Sequence, residues 1–415
     1  MKTNDIHITL PASKSLSIRW LFVNYLTCDD IPLSGLSQSD DVRVLKHILA
    51  TLAHNPADDL ETPNPINFDC ADSGAVARFL IAIMATRPSY CVISGSARLS
   101  QRPMAPLVDA LRSLGACSID YLDAEGYLPL RIKGGHPIKK LVLVNPSVSS
   151  QFVSALLLAG AASLRGLHIR MTKSPASAPY IEMTCKVLSQ AGADNDYAPN
   201  HNTIRISPFS PKRFLHPVVI ERDWSAAAFF YMAAVFLPHR RIRLVNLSLQ
   251  SLQGDKLVAQ LFNSFGVTTR QARSPYSNGN SVLIEGGGVV TSNFYFDFKD
   301  NPDLVLPMAV VSAAMGVDAW LDGLANLRYK ESNRVLAIVE ELRKMGADVQ
   351  ADKSSLHIKP APLRPSAVVS SHADHRVAMA FGTLQLLFPD LVIDNPSVVN
   401  KSFPEFWTQL SRLRP

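Results

Sequence analysis

The stretch VEELRKMGADVQAD, residues 339–352, decides the fold class, because an amphipathic helix pattern ends there in a small-residue turn and runs into a short strand. Three further stretches repeat this order: VDALRSLGACSIDY (108–121), TCKVLSQAGADNDY (184–197) and VAQLFNSFGVTTRQ (258–271). Each copy has a glycine just after the helix, where a positive φ is needed. These glycines are Gly115, Gly192, Gly266 and Gly346. A spacing of roughly 75 to 80 residues suits a repeated α/β subdomain and is too long for a solenoid.

The sequence therefore predicts an α/β fold of about six βαβαββ units in two globular halves. A chain of 415 residues exceeds one ordinary core, which favours two domains. We place the hinge where the strand HPVVIERD (216–223) meets the apolar helix WSAAAFFYMAAVF (224–236). The opening strand is assigned to the C-terminal half, so the predicted halves are residues 13–222 and residues 1–12 with 223–415. A ligand is expected in the cleft between them.

Composition excludes several classes of protein. The apolar fraction of 47% and charged fraction of 18% are typical of a globular protein, and no apolar run reaches the length of a membrane span. The amino terminus lacks a secretory or transit pattern, so a cytoplasmic location is expected. Five scattered cysteines indicate buried thiols rather than disulfides or zinc ligands. A net charge of +6 favours anionic partners, but its even spread along the chain argues against nucleic acid.

The corner PASKSLSIR, residues 11–19, follows the alternating strand pattern IHITL and opens a helix pattern. It carries Lys14, Arg19 and three serines, yet no acidic residue to pair with the cations. One interpretation is a serine-capped helix with solvated cations. The other is that Lys14 and Arg19 are kept for an anionic ligand.

Four helix starts carry residues suited to an anion. They are SKSLSIRW, DSGAVARFL from Asp72, SVSSQFVSALLL from Ser147 and ADHRVAMAF from Ala373. A helix amino end offers free N–H groups and partial positive charge, so it binds phosphate or carboxylate well. The side chains supplied with these starts are Lys14, Arg19, Arg78, Gln151 and Arg376.

A denser polar set lies in LANLRYKESNRVLAI, residues 324–338. It holds Asn326, Arg328, Lys330, Glu331 and Arg334. Simpler interpretations stand beside a functional one: Glu331 and Arg334 as a helical ion pair, Asp303 as a helix N-cap, Lys401 as a solvated lysine, and His375 as an ordinary helix-start residue. Since no motif for a metal, a nucleotide loop or a nucleophilic serine is present, the pattern favours an acid–base site rich in cations.

Taken together, the motifs resemble the 5-enolpyruvylshikimate-3-phosphate synthase family over essentially the whole chain. The matching stretches, in family order, are PASKSLSIR (11–19), SDDVR (39–43), DSGAVAR (72–78), QRP (101–103), SVSSQ (147–151), SAPY (177–180), ERDWSAA (221–227), LQGD (252–255), PD (302–303), NLRYKESNR (326–334), DHR (374–376) and NKSFP (400–404). The resemblance implies the enolpyruvyl transferase fold, an inside-out α/β barrel-like arrangement of three βαβαββ units per domain, closing over shikimate 3-phosphate and phosphoenolpyruvate.

The resemblance also implies residue roles. Shikimate 3-phosphate would be bound by Lys14, Ser15, Arg19, Ser149, Ser150, Gln151, Ser177, Tyr180, Asp303, Asn326 and Lys330. Phosphoenolpyruvate would be bound by Lys14, Gly74, Arg102, Gln151, Arg334, Arg376 and Lys401. The catalytic residues would be Lys14, Asp303 and Glu331, with Asp303 as the base for the 5-hydroxyl and Glu331 as the proton donor and acceptor at the enol methylene. Neither cofactor nor metal is expected, the partners are small anions rather than membranes, and the chain is expected to be a monomer.

Several positions depart from the family pattern. They are Ala12, Ile18, Ala75, Phe79, Ala178 and Asn333. None removes a charged residue with an implied role, but Ala75 and Phe79 flank the phosphoenolpyruvate turn and are expected to change its affinity for that substrate and for glyphosate. Two alternatives stay open: transfer of enolpyruvyl to UDP-N-acetylglucosamine, which is disfavoured because Lys14 is followed by serine rather than asparagine, and a non-catalytic anion- or nucleic-acid-binding protein.

Overall fold

The computed structural model describes residues 5–27, 31–54, 64–115, 117–210, 212–274, 279–364 and 368–414. The chain forms two compact units, which we call the N-terminal unit (Lys14–Leu36 and Asp40–Val219) and the C-terminal unit (Met1–Ser13, Ser37–Ser39 and Ile220–Pro415). The chain passes between them after Ser13 and after Val219, apart from the short excursion at Ser37–Ser39. That each unit is a separate domain with a ligand cleft between them stays a prediction.

Within its described residues, the N-terminal unit contains three sheets and six α-helices. The first sheet has the order β3 (Ile66–Asp69), β4 (Ser89–Ser94), β6 (Leu130–Gly134), β5 (Ser118–Tyr121); the second has β7 (Leu141–Val144), β8 (Leu167–Met171), β10 (Thr203–Ile206), β9 (Asn195–Ala198); the third pairs β11 (Val218–Val219) with β2 (Leu33–Ser34). The helices are α1 (Lys14–Thr27), α2 (Asp40–His54), α3 (Gly74–Ala85), α4 (Ala105–Ser113), α5 (Gln151–Ala162) and α6 (Ala178–Gln190).

The C-terminal unit repeats this plan. Its sheets have the orders β1 (Ile6–Thr9), β12 (Arg241–Val245), β14 (Asn280–Glu285), β13 (Thr268–Arg273); then β15 (Asn293–Asp297), β16 (Asp318–Asp322), β18 (Leu356–Lys359), β17 (Asp348–Ala351); then β19 (Val368–Val369) with β20 (Val392–Ile393). Its helices are α7 (Trp224–Phe236), α8 (Val258–Leu261), α9 (Val305–Met315), α10 (Arg334–Lys344), α11 (His375–Thr383) and α12 (Phe406–Ser411).

The predicted α/β class and the βαβαββ repeat are confirmed. Each four-stranded sheet has one parallel pair followed by two antiparallel pairs, as β3 with β4, β4 with β6 and β6 with β5 illustrate. The glycine that ends each predicted helix has a positive φ, between +72° and +94°. The third sheet of each unit is shorter than the repeat predicts, with two parallel strands among the described residues.

Apolar helices form the interior of each unit. All thirteen residues of α7 are buried, and α7, α9 and α11 contact one another. In the N-terminal unit α5 contacts α1 and α3, and Phe22 meets Phe79 edge to face at a centroid distance of 5.8 Å. In α7 and α11 the side chains of Ser225, His375 and Arg376 stand in the first turn of the helix.

Two sequence expectations concern the membrane and the cysteines. Within the described ranges, every helix is too short or too polar to span a lipid bilayer. Cys70, Cys91, Cys117 and Cys185 are free thiols, and burial raises the pKa of each; Cys28 lies outside the described residues.

Candidate active site

Six charged residues singled out by the sequence lie together in the C-terminal unit. They are Asp303, Lys330, Glu331, Arg334, Arg376 and Lys401, which we call the C-terminal cluster. They come from the 3₁₀ helix Pro302–Leu304 before α9, the turn before α10 and its first residue, the first turn of α11 and the 3₁₀ helix Pro396–Lys401. The amino ends of three helices thus converge on one group of charges.

Asp303 lies among three cations. Its Oδ1 is 2.8 Å from Arg334 Nη1 and 3.6 Å from Lys330 Nζ, and its Oδ2 is 2.9 Å from Arg376 Nη2. Burial by itself would raise the pKa of this carboxyl, but the three cations hold the pKa well below its ordinary value. The N-cap interpretation of Asp303 is therefore wrong, because the residue before α9 is Leu304 and the Asp303 carboxylate bonds to arginines instead.

Arg334 is buried and forms ion pairs with three carboxylates. Besides Asp303, it donates from Nη2 to Glu331 at 2.9 Å and from Nε to Asp374 at 2.8 Å. Burial lowers the pKa of an arginine, but here the carboxylates outweigh it and the pKa is raised. Asp374 is itself buried; it caps α11 through Arg376 N at 2.9 Å and accepts the Ser332 hydroxyl at 3.1 Å. Asp374 at Nε and the carboxylates of Asp303 and Glu331 at the terminal nitrogens together fix the plane of the Arg334 guanidinium.

Glu331 and Lys401 complete the cluster. The ion pair between Glu331 and Arg334 is present as the simpler interpretation supposed, but Glu331 Oε1 also lies 3.8 Å from Lys401 Nζ. The Lys401 side chain is only 15% exposed, so it is not a solvated lysine. Asn326 lies directly before the 3₁₀ helix Leu327–Tyr329, which leads into Lys330 and Glu331. Its buried Oδ1 accepts no hydrogen bond from the described residues. Such an acceptor suits a ligand hydroxyl.

In the N-terminal unit, Arg19 of α1 is buried among neutral oxygens. Its Nε donates to Thr184 Oγ1 at 2.8 Å, and its terminal nitrogens donate to the carbonyls of Ser15 at 2.9 Å and Tyr180 at 3.1 Å. Burial lowers the pKa of Arg19 to about 10. A guanidinium at this pKa is still charged at neutral pH, so the site carries positive charge into a nonpolar interior.

Arg78, Arg102 and Gln151 surround the start of α3. Arg78 Nη1 donates to Gln151 Oε1 at 2.6 Å, and Ser73 caps α3 by accepting from Val76 N. A Cβ on Gly74 would lie 2.6 Å from Arg78 Nη1 and 2.7 Å from Arg102 Nη1, so glycine allows both guanidinium groups to approach the helix end. Among the described residues, the buried Arg102 Nε has no acceptor. Two arginines at a helix amino end make a strong anion site.

Lys14 requires a correction, because the sequence indicated no acidic partner for it. Lys14 Nζ lies 2.9 Å from Asp41 Oδ2, and both side chains are largely buried. Asp41 belongs to α2 and follows Lys14 by 27 positions, which places it outside the corner PASKSLSIR. The other predicted residues of this unit stand at helix starts: Ser149 accepts from Gln151 N at 3.2 Å, Ser150 precedes α5, and Ser177 precedes α6 with a φ of +60°.

Sequence reasoning missed the residues that hold the predicted ones in place. Asp374, Asp41 and Thr184 have no implied role, although Asp374 stands inside the quoted motif DHR and Asp41 inside SDDVR. A weak signal existed for Asp374, since an aspartate directly before a helix carrying arginine is a typical cap.

The described residues contain one group with the spacing of metal ligands: Glu340, Glu341 and His372. Lys344 Nζ already lies 2.7 Å and 2.9 Å from the two oxygens of Glu341, so an internal cation satisfies its charge. The C-terminal cluster offers arginines suited to anions and two carboxyl groups, those of Asp303 and Glu331, of a kind that exchanges protons.

The chain is similar to known proteins over nearly its whole length. Residues 4–410 match the family model described as EPSP synthase (3-phosphoshikimate 1-carboxyvinyltransferase). The chain is 34% identical to a 3-phosphoshikimate 1-carboxyvinyltransferase of Bacteroides fragilis, covering 98% of this chain and 94% of the relative. It is 32% identical to one of Methanosphaerula palustris, covering 98% and 96%. The fold matches an EPSP synthase structure from Acinetobacter baumannii with a TM-score of 0.74 at 21% identity, covering 98% of this chain and 95% of that one. It also matches the enolpyruvyl transferase NikO of Streptomyces tendae with a TM-score of 0.71 at 15% identity, covering 98% of this chain and 94% of that one.

Proposed function

Because the chain belongs to the EPSP synthase (3-phosphoshikimate 1-carboxyvinyltransferase) family, we propose that the buried clusters described above bind and convert the two substrates of that activity. The reaction transfers the enolpyruvyl group of phosphoenolpyruvate to the 5-hydroxyl of shikimate 3-phosphate and releases phosphate. This step belongs to the shikimate pathway, which leads through chorismate to the aromatic amino acids.

Arg19 and its neighbours are assigned to shikimate 3-phosphate. A buried guanidinium held by neutral oxygens suits the shikimate carboxylate. The described partners of Arg19 carry no negative charge, so they do not neutralise the guanidinium before the carboxylate binds. The remaining ligands assigned to this substrate are Lys14, Ser15, Ser149, Ser150, Gln151, Ser177, Tyr180, Asp303, Asn326 and Lys330. The serines stand at helix starts, where hydroxyls and N–H groups together bind phosphate.

Phosphoenolpyruvate carries a carboxylate and a phosphate, which match the arginines. Those assigned to it are Arg102 beside Gly74 in the N-terminal unit and Arg334 and Arg376 in the C-terminal unit, with Lys14, Gln151 and Lys401. Arginine binds either anion through two parallel hydrogen bonds. Cations also stabilise the charge that develops on the departing phosphate.

Proton transfer is assigned to two carboxylates, with Lys14 as the third catalytic residue. Glu331 protonates the methylene carbon, Asp303 accepts the proton of the 5-hydroxyl as it attacks, and Glu331 removes a methyl proton as phosphate leaves. The observation that carries this proposal is that one arginine, Arg334, bonds to both carboxyl groups at 2.8 Å and 2.9 Å and so keeps them side by side. A positioned acid or base typically contributes 10²–10⁴-fold to the rate.

The test measures phosphate release from phosphoenolpyruvate with and without shikimate 3-phosphate. Release that requires the added acceptor supports the proposal, whereas no dependence on the acceptor, or equal release with UDP-N-acetylglucosamine, contradicts it. Glu331→Gln is expected to lower kcat by about 10³-fold while shikimate 3-phosphate still binds measurably in calorimetry. Arg328→Gln is the matched control, because Arg328 lies three positions before Glu331 and has no assigned role. Its side chain donates to the Lys353 carbonyl at 2.7 Å.

We propose further that the protein is a cytoplasmic monomer that requires neither metal nor organic cofactor. Dialysis against a chelator is expected to leave phosphate release unchanged, and light scattering is expected to give a mass of about 45 kDa, near the 45.4 kDa of the chain.

A further inference from the structure

Asp255 is a buried carboxylate to which the proposed chemistry gives no role. It lies in the motif LQGD, in the 3₁₀ helix Gly254–Leu257, and is only 3% exposed. Its carboxylate accepts the hydroxyl of Ser225, at the start of α7, and Asn301 Nδ2 at 3.1 Å. Both donors are neutral. A buried carboxylate held in this way is costly to keep charged and calls for an explanation.

Asn301 connects Asp255 with Asp303. Asn301 stands directly before the 3₁₀ helix Pro302–Leu304 that carries Asp303, and it is 5% exposed. Its backbone N–H donates to the Phe298 carbonyl at 3.1 Å, and its own carbonyl accepts from Leu304 N at 3.0 Å. The bond to Asp255 is a third constraint on the turn that directs the Asp303 carboxylate toward Arg334 and Arg376.

The loop that carries Asp255 is itself anchored. Glu221 accepts hydrogen bonds from Leu252 N at 3.2 Å and Gln253 Nε2 at 3.1 Å, and Gln253 Oε1 accepts from Trp224 N at 3.0 Å. Asp255 is therefore held from both its own loop and the start of α7. Because Asp255 is held this firmly, its bond to Asn301 helps to fix the turn that carries Asp303.

The two aspartates also interact through their charges. Burial, with a further contribution from the Asp303 charge, raises the pKa of Asp255 from 3.8 to about 6, while the bonds from Ser225 and Asn301 and the charge of Arg376 oppose the rise. On its own helix the neighbouring cation is Lys256, whose Nζ donates to the Ser251 carbonyl at 3.0 Å; α7 carries no charged side chain. Because the interaction is mutual, an ionised Asp255 makes Asp303 hold a proton more strongly.

We propose that Asp255 is a positioning residue for Asp303: through Asn301 it fixes the turn that carries the base, and its negative charge strengthens Asp303 as an acceptor of the substrate's hydroxyl proton. This inference rests on the proposed function, because it gives Asp255 a part in the same reaction. Asp303 needs such help, since three cations otherwise make it a weak base.

The experiment measures kcat and both KM values by phosphate release across the pH range around 6 in the wild type, Asp255→Asn, Ser225→Ala and the control Glu341→Gln. The wild-type kcat is expected to rise with pH through about 6, where Asp255 ionises. Asp255→Asn is expected to lose this rise and to lower kcat at pH 8 about tenfold, with KM for shikimate 3-phosphate changed less than about threefold. Ser225→Ala removes a bond that stabilises the charged carboxylate, so the rise is expected to move to higher pH.

The control removes a buried carboxylate from α10 that is paired with Lys344, and it is expected to keep the wild-type pH profile. The inference is overturned if Asp255→Asn keeps both the rise and the kcat, or if Ser225→Ala leaves the rise at its original pH. Should Asp255→Asn fail to fold, the profile of Ser225→Ala decides alone. If the wild type releases no phosphate with shikimate 3-phosphate, the proposed function fails; if it does and the variants match it, only this inference fails.

Discussion

Arg19 in the N-terminal unit and Arg334 in the C-terminal unit are both buried, yet their partners are opposite in kind. Arg19 donates to neutral oxygens of Ser15, Tyr180 and Thr184. Arg334 is held by three carboxylates at 2.8 to 2.9 Å. Burial lowers the pKa of Arg19 to about 10, whereas the carboxylates raise the pKa of Arg334.

The difference shows that one residue type serves two purposes. At Arg19 the protein keeps a positive charge whose described partners are uncharged, and an arriving carboxylate would supply the missing negative charge. At Arg334 the charge is already neutralised, so its main effect is to hold Asp303, Glu331 and Asp374 in place. An anion that binds there has to share the guanidinium with these carboxylates.

The largest expected effect is on stability when Arg334 is replaced. Arg334→Met leaves the buried Asp374 and the partly buried Asp303 and Glu331 without their common cation, and it is expected to lower the free energy of unfolding by about 3–5 kcal/mol. Urea unfolding followed by circular dichroism measures this. A loss below about 1 kcal/mol would contradict the scaffold role, because it would mean that the carboxylates are satisfied without Arg334.

The matched replacement, Arg19→Met, is expected to act on binding rather than folding. It removes a buried charge, so the free energy of unfolding should change by about 1 kcal/mol or less, while affinity for shikimate 3-phosphate should fall about 100-fold. Calorimetry and urea unfolding measure the two effects on one preparation. Equal destabilisation by Arg19→Met and Arg334→Met would remove the contrast.

The smallest effect is expected at Lys14, which combines the two situations, since it is an assigned substrate ligand with an internal carboxylate 2.9 Å away. Asp41→Asn removes a competitor for the ammonium group and is expected to lower KM for phosphoenolpyruvate about twofold to threefold at low salt. Asp40→Asn is the control, because its pair with Arg43 is exposed. A higher KM in Asp41→Asn would instead make Asp41 a residue that positions Lys14.

Local signals made the fold predictable, whereas the site depended on distant residues. The end of α10, the turn at Gly346 and the strand that follows are encoded within fourteen residues, because the helical period, the glycine and the short strand are all local. The partners of charged side chains are not local: Asp374 reaches Arg334 across 40 positions, and Thr184 reaches Arg19 across 165. Helix starts and the local pair of Glu331 with Arg334 could therefore be identified, but the distant carboxylates that pair with each cation could not. The roles of the individual site residues stay predictions.

The raised pKa of Asp255 has a consequence for folding as well. Between about pH 4 and pH 6 the folded chain keeps a proton on this carboxyl that the unfolded chain has already lost. The contribution of Asp255 to folding is therefore most favourable in acid, declines as pH rises through this window, and is fully lost above pH 6. At neutral pH this unit folds with a charge that works against its own stability, and mild acid relieves that cost just where the activity is expected to decline.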